Sequence, residues 1–244
     1  VVILLAAWAW VAASAVEGVS SLWIGTLIVP TVMCAAHLAI GVVNWLGMLQ
    51  VAPRLLPRMD YEGGIPEEER TLVVVPTMLS RPAAIEELLE DLEVRYSANA
   101  DARLHFGLLT DFEDGTAESM PGDAELVQLA VEGIERLNEK YAERRSDIFF
   151  LFHRPRRWNA QEGVWMGYER KRGKLAELNA LLRGNSERFS HVVGDTEQLT
   201  DVRYVITLDT DTQLPRDAAR EMVAAMAHVL NRPVLDSTFR QVIE

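Results

Sequence analysis

The sequence predicts an α/β fold, a doubly wound and mostly parallel sheet preceded by two membrane-spanning helices. Three observations predict it. Residues 1–52 contain one acidic residue, Glu17, and no Lys or Arg. After residue 70, short β-branched apolar runs alternate with segments of helical spacing, the pattern of a parallel sheet covered on both faces. The last such run, RYVITLDTDTQLP, ends in two carboxylates, Asp209 and Asp211, where open α/β sheets bind ligands.

In the apolar part, residues 22–49 form a run with no charged side chain, and about 20 such residues span a bilayer. Residues 1–16 form a second uncharged run, expected to be the end of another span in a chain whose N-terminus is missing. Trp8, Trp10, Trp23 and Trp45 suit bilayer interfaces. Arg54 and Arg58 come directly after the second run and, by the positive-inside rule, place the α/β domain in the cytoplasm. His37 and Asn44 are polar groups inside the run, and a helix–helix hydrogen bond is their ordinary explanation. Residues 53–70 hold Pro53, Pro57, Gly63, Gly64 and Pro66 and read as a juxtamembrane linker.

Residues 71–244 are expected to form one α/β domain. Strands are predicted at 72–76, 104–110, 148–152 and 204–208, the first and last of them buried. Helices are predicted at 81–96, 123–141, 170–182 and 215–230 from their apolar spacing. The net charge of −12 argues against nucleic-acid binding as the main task. The single cysteine, Cys34, excludes an internal disulfide and a cysteine-based zinc site. No Gly-rich dinucleotide fingerprint or Walker A loop is present.

Three clusters fall at strand ends. LLTDFEDG brings Asp111, Glu113 and Asp114, which as carboxylates can bond a ribose or base edge, or simply form a solvated turn. HRPRRWNAQEGVWMGYERKRGK concentrates Arg154, Arg156, Arg157, Arg170, Lys171, Arg172 and Lys174 in an acidic chain. That concentration suggests an anion site, with Gly173 and Lys174 opening a helix whose free N–H groups favour phosphate. The third cluster is Asp209-Thr210-Asp211, two hard oxygen donors suited to a divalent cation.

The segments VVVPTMLS (73–80), LLTDFEDG (108–115), 149–184 and YVITLDTDTQLPRDAAR (204–220) resemble the glycosyltransferase domain of cyclic β-1,2-glucan synthases. The resemblance covers roughly residues 50–235 and implies a GT-A fold in a bacterial inner-membrane protein, its transferase domain facing the cytoplasm. It implies UDP-glucose as donor, Mg²⁺ or Mn²⁺ as cofactor and a growing β-1,2-glucan as acceptor. Asp111 would lie near the uridine, Lys174 and Asn179 on the nucleotide side, and Asp209 and Asp211 on the metal. Asp114, Arg154 and Arg157 join them as candidate donor-binding residues. The catalytic base of such enzymes is an Asp in a Thr-Glu-Asp-like motif, which is not found after Asp211. It is expected beyond Glu244, in a chain read as truncated.

Two other classes compete. A membrane-anchored, non-catalytic nucleotide-sugar-binding fragment would share the donor residues. A haloacid-dehalogenase-type phosphatase would use an apolar strand and Asp-x-Asp, but that class places the motif on its first strand, and Gln213 stands where its Thr is expected.

Overall fold

The structure, a computed structural model, describes residues 11–12, 21–51, 55–184, 188–236, 238 and 241–242. It forms two units, 1–55 and 56–244. In the first, helix α1 (Ser21–Gln50) runs through Pro30. Its 22 residues Val29–Gln50 are long and apolar enough to cross a membrane, and none is buried. The second span, read at 1–16, lies outside the described residues except for 11–12. His37 is satisfied within its own helix, Nδ1 donating to the Met33 carbonyl at 3.0 Å. It needs no partner helix for that nitrogen.

The second unit is an α/β domain. Strands β1 (Thr71–Leu79), β2 (Leu104–Phe112) and β3 (Phe149–His153) form the middle of the sheet. The sheet continues with β6 (His191–Val193) and β7 (Tyr204–Thr207) in the order β6-β3-β2-β1-β7. All neighbours are parallel except β3 and β6. A hairpin of β4 (Arg157–Asn159) and β5 (Val164–Met166) lies outside this sheet.

Helices cover both faces, which is why the central strands read as continuous apolar runs. Helix α2 (Pro82–Ala98) starts on a proline, whose missing N–H is no loss at a first turn. Helix α3 (Asp123–Lys140) carries Asp123 and Glu125 in its first turn and Lys140 in its last, charges that suit the helix dipole. With α5 (Ala218–Ala227) they supply Ile85, Leu92, Ile134 and Val223 to the larger core, against Val73, Phe106 and Phe149 of the sheet. Helix α4 (Arg170–Leu181) covers the other face, where Leu178 and Leu181 meet Leu72, Leu109, Phe150 and Phe152. Phe106, Phe149, Phe150 and Phe152 are fully buried, each contributing about 1.5–3 kcal/mol.

The chain builds β1, β2 and β3 in one direction and then returns to place β7 on the far side of β1. Strand order therefore reverses between β1 and β7, and the carboxyl ends of those strands flank a crevice. Two expectations need correction. The apolar run at 204–208 predicts a buried strand, but Tyr204, Val205 and Ile206 are half-buried and Thr207 is exposed. The reason is position: β7 is an edge strand among the described residues. The sheet also contains β6, antiparallel and only three residues long, too short to leave a periodic signal.

Candidate functional site

The carboxyl ends of β1, β2 and β7 and the start of α4 enclose a cavity of ≈ 310 Å³. Its lining includes Thr77, Asp111, Asp114, Arg170, Lys171, Lys174 and Thr210. Each element delivers its residue by register. Met78 on β1 stands opposite Asp111 on β2, so both strands end at the same level. Gly115 exchanges two backbone hydrogen bonds with Trp165 on β5, at 2.8 and 3.0 Å. That bridge ties the end of β2 to the hairpin and brings α4 against it.

Asp111 is the centre of a buried charge cluster. Lys174 Nζ donates to its Oδ1 at 2.8 Å, and Arg154 Nη2 and Nε donate to Oδ2 at 3.0 and 3.3 Å. Side-chain exposure is 3% for Asp111, 2% for Arg154 and 5% for Lys174. Lys174 Nζ also donates to the Thr77 carbonyl. Burial pulls the Lys174 pKa down, and Asp111 pulls it back towards its usual range. The excess positive charge of this cluster meets Glu177, 3.4 Å from Arg154 Nη1.

This packing demands glycine at two points. A Cβ on Gly167 would stand 1.9 Å from Asp111 Oδ2, and one on Gly173 would stand 2.1 Å from the Tyr168 carbonyl oxygen. Gly173 therefore serves a close approach inside α4 rather than a phosphate-binding N–H. Its N–H is already donated to the Glu169 carbonyl at 3.1 Å, because the helix opens three residues earlier, at Arg170.

The basic loop divides by burial. Arg154 and Arg156 are buried, Arg156 being paired with Asp123 and stacked over Phe112 at 4.6 Å. Arg157 lies on β4 and approaches Glu177 at 3.8 Å, away from the cavity lining. The cations that face the cavity are Arg170, Lys171 and Lys174. Arg170 holds Asp114 at 2.8 Å. Asn179 is exposed. It lies five residues beyond Lys174, so it is turned about 140° round the helix and does not line the cavity.

Asp209 and Asp211 sit just past β7, at the mouth of the crevice. Asp209 Oδ1 accepts from Lys171 Nζ. Asp211 lines an adjoining hollow of ≈ 340 Å³ with Ser80, Glu87 and Asp91. Among the described residues no group of three metal-ligating side chains is gathered. Mg²⁺ or a similar cation is commonly held by one or two carboxylates and completed by substrate phosphates. Asp209 and Asp211 offer carboxylate oxygens of the type such an ion takes.

Sequence reasoning missed the group that shapes this turn. Arg95, buried on α2, donates through Nη2 to the carbonyls of Thr210 (2.8 Å) and Thr212 (3.1 Å), and through Nε to Thr212 again (3.3 Å). Asn99, one turn on, donates to the Leu214 carbonyl and accepts from the Ala219 N–H. Nothing local marks either residue, since their partners lie 115–120 residues away.

The fold and the cavity define an open α/β domain with a charged crevice at its switch point. Over 209 residues, 86% of its length, the chain is 42% identical to cyclic beta-(1,2)-glucan synthase NdvB of Rhizobium meliloti (strain 1021). It belongs to the cyclic β-(1,2)-glucan synthase family and spans about 7% of the length of that relative. No family model matches.

Proposed function

We propose that this chain is the donor-binding part of a membrane-bound glycosyltransferase with a GT-A fold, taking UDP-glucose and extending a β-1,2-glucan. One observation carries the reading. Three cavity-facing cations and an Asp-Thr-Asp turn converge on the switch-point crevice, in a chain 42% identical to a curated glucan synthase.

On this reading the diphosphate lies against Arg170, Lys171 and Lys174, whose charges oppose the negative charge that builds on the departing UDP. Asp209 and Asp211 would hold Mg²⁺ or Mn²⁺, which supplies further Lewis-acid stabilisation of the leaving group. Asp111 stays buried and sets the position of Lys174, while Asp114 positions Arg170. An α-linked donor and a β-linked product imply inversion in a single displacement. The general base that this needs is not assigned to any residue of 1–244. Helix α1 would anchor the domain at the inner membrane of a bacterium, its transferase side in the cytoplasm.

Calorimetry with UDP tests the reading. Binding is expected only with Mg²⁺ or Mn²⁺ and is expected to weaken in Asp209→Ala. Unchanged, metal-independent affinity in the variant refutes it.

A further inference from the structure

Lys171 and Asp209 are 38 residues apart in sequence and join α4 to the turn after β7. Their side chains are 48% and 63% exposed. A pair this exposed contributes little to stability, so it can open without disturbing the core. Its cost falls elsewhere: an ammonium on Asp209 Oδ1 competes with any divalent cation for that oxygen. Arg170 already grips Asp114, and Lys174 is buried on Asp111 and the Thr77 carbonyl. Lys171 is the cavity cation that pairs with the proposed metal ligand. Asp211, by contrast, forms no ion pair among the described residues.

We propose that Lys171 is a tethered counter-cation. It occupies Asp209 until a divalent cation and a nucleoside diphosphate arrive together. The metal then takes Asp209, and the released ammonium takes the diphosphate, which lies in the same cavity. Cation and nucleotide therefore bind cooperatively, and neither binds well alone. The proposal rests on the assignment of Asp209 to the metal, and goes beyond it by giving Lys171 a role in both ligands' affinities.

The test uses the full-length protein carrying this chain, in detergent, with bound Mn²⁺ counted by electron paramagnetic resonance, with and without UDP. Lys171→Met is expected to bind Mn²⁺ alone roughly fivefold tighter, the upper range for release of an exposed ion pair. The gain in Mn²⁺ affinity that UDP brings is expected to shrink in the same variant. Arg172→Met removes the same charge one residue away, from a side chain 80% exposed and paired with Glu169. Salt screening should keep its effect within about twofold. Asp209→Asn identifies which bound Mn²⁺ belongs to this site. If Mn²⁺ binding responds to Asp209→Asn but Lys171→Met behaves like wild type or like Arg172→Met, the Lys171 proposal is overturned and the metal assignment stands. Mn²⁺ binding indifferent to Asp209→Asn overturns both.

Discussion

Asp111→Asn is the most direct test of how the crevice is built. The substitution keeps the shape and removes the charge that receives three hydrogen bonds, one from Lys174 and two from Arg154. All three side chains are 5% exposed or less. An asparagine offers one acceptor and turns an NH₂ towards a cation, so either Lys174 or Arg154 is left buried without its partner. Breaking a buried pair from one side costs about 3–5 kcal/mol. Adding the hydrogen bonds separately would overshoot, since they belong to one network. At about 1.4 kcal/mol per decade, amides of β2 and α4 should exchange faster by roughly two to three and a half orders of magnitude. Hydrogen–deuterium exchange on the full-length protein reads this locally. Replacing all three residues together by apolar ones, as Asp111→Leu, Arg154→Met and Lys174→Met, should recover much of the loss, because the three mutually paired charges leave together and Glu177 keeps Arg157 and Arg188, each at 3.8 Å. An increase below about tenfold in Asp111→Asn would refute the view that this cluster holds β2 to α4.

Three further outcomes are expected. Arg95→Met strands the carbonyls of Thr210 and Thr212. It should loosen the Asp209–Asp211 turn and weaken Mn²⁺ binding by about tenfold, the loss of one charged hydrogen bond of roughly 1.5 kcal/mol. Arg95→Lys should restore part of that, and equal affinity in all three proteins would exclude a positioning role. Gly167→Ala and Gly173→Ala, which drive a Cβ into Asp111 and into the Tyr168 carbonyl, should each cost about 1–3 kcal/mol in local exchange around α4. Gly63→Ala, with open space around its Cβ position, should cost little. Burial, the largest cause in each case, lowers the pKa of His105 to about 4 and that of His153 to about 3. Above the unfolded value of about 6.5 both are neutral in either state, and their contribution is fully present. As pH falls from there towards 4 and 3, only the unfolded chain takes up protons, so stability is lost by up to about 1.4 kcal/mol per pH unit for each histidine. His153→Gln should flatten that slope in exchange measured between pH 6 and 4. An unchanged slope would show that His153 protonates freely in the fold.

Much of this was legible in the residues. The apolar run after residue 21 and the alternation of β-branched and helical segments come from periods of 2.0 and 3.6, which are local properties. The core strands 72–76, 104–110 and 148–152 fell inside β1, β2 and, but for Ile148, β3. The basic loop and the Asp-Thr-Asp turn are compositional signals, and both reached the same crevice. What could not be read is which cations would face it. Arg154, Arg156, Arg170, Lys171 and Lys174 look alike in a string, yet two are structural, two are partly exposed cations on the cavity, and one is buried in its wall.

The sequence by itself determined that this is an α/β protein with an apolar N-terminal helix and with acidic and basic clusters at its strand ends, and it pointed to the family. Tertiary structure alone decided that β7 returns beside β1, and this reversal brings the two charged clusters together. It also decided that Asp111 is a buried keystone, that Lys171 sits on Asp209, and that Arg95 shapes the turn. Those pairings join residues 38 to 117 positions apart. A periodic pattern records which face of an element is buried, but not which distant charge will be waiting there.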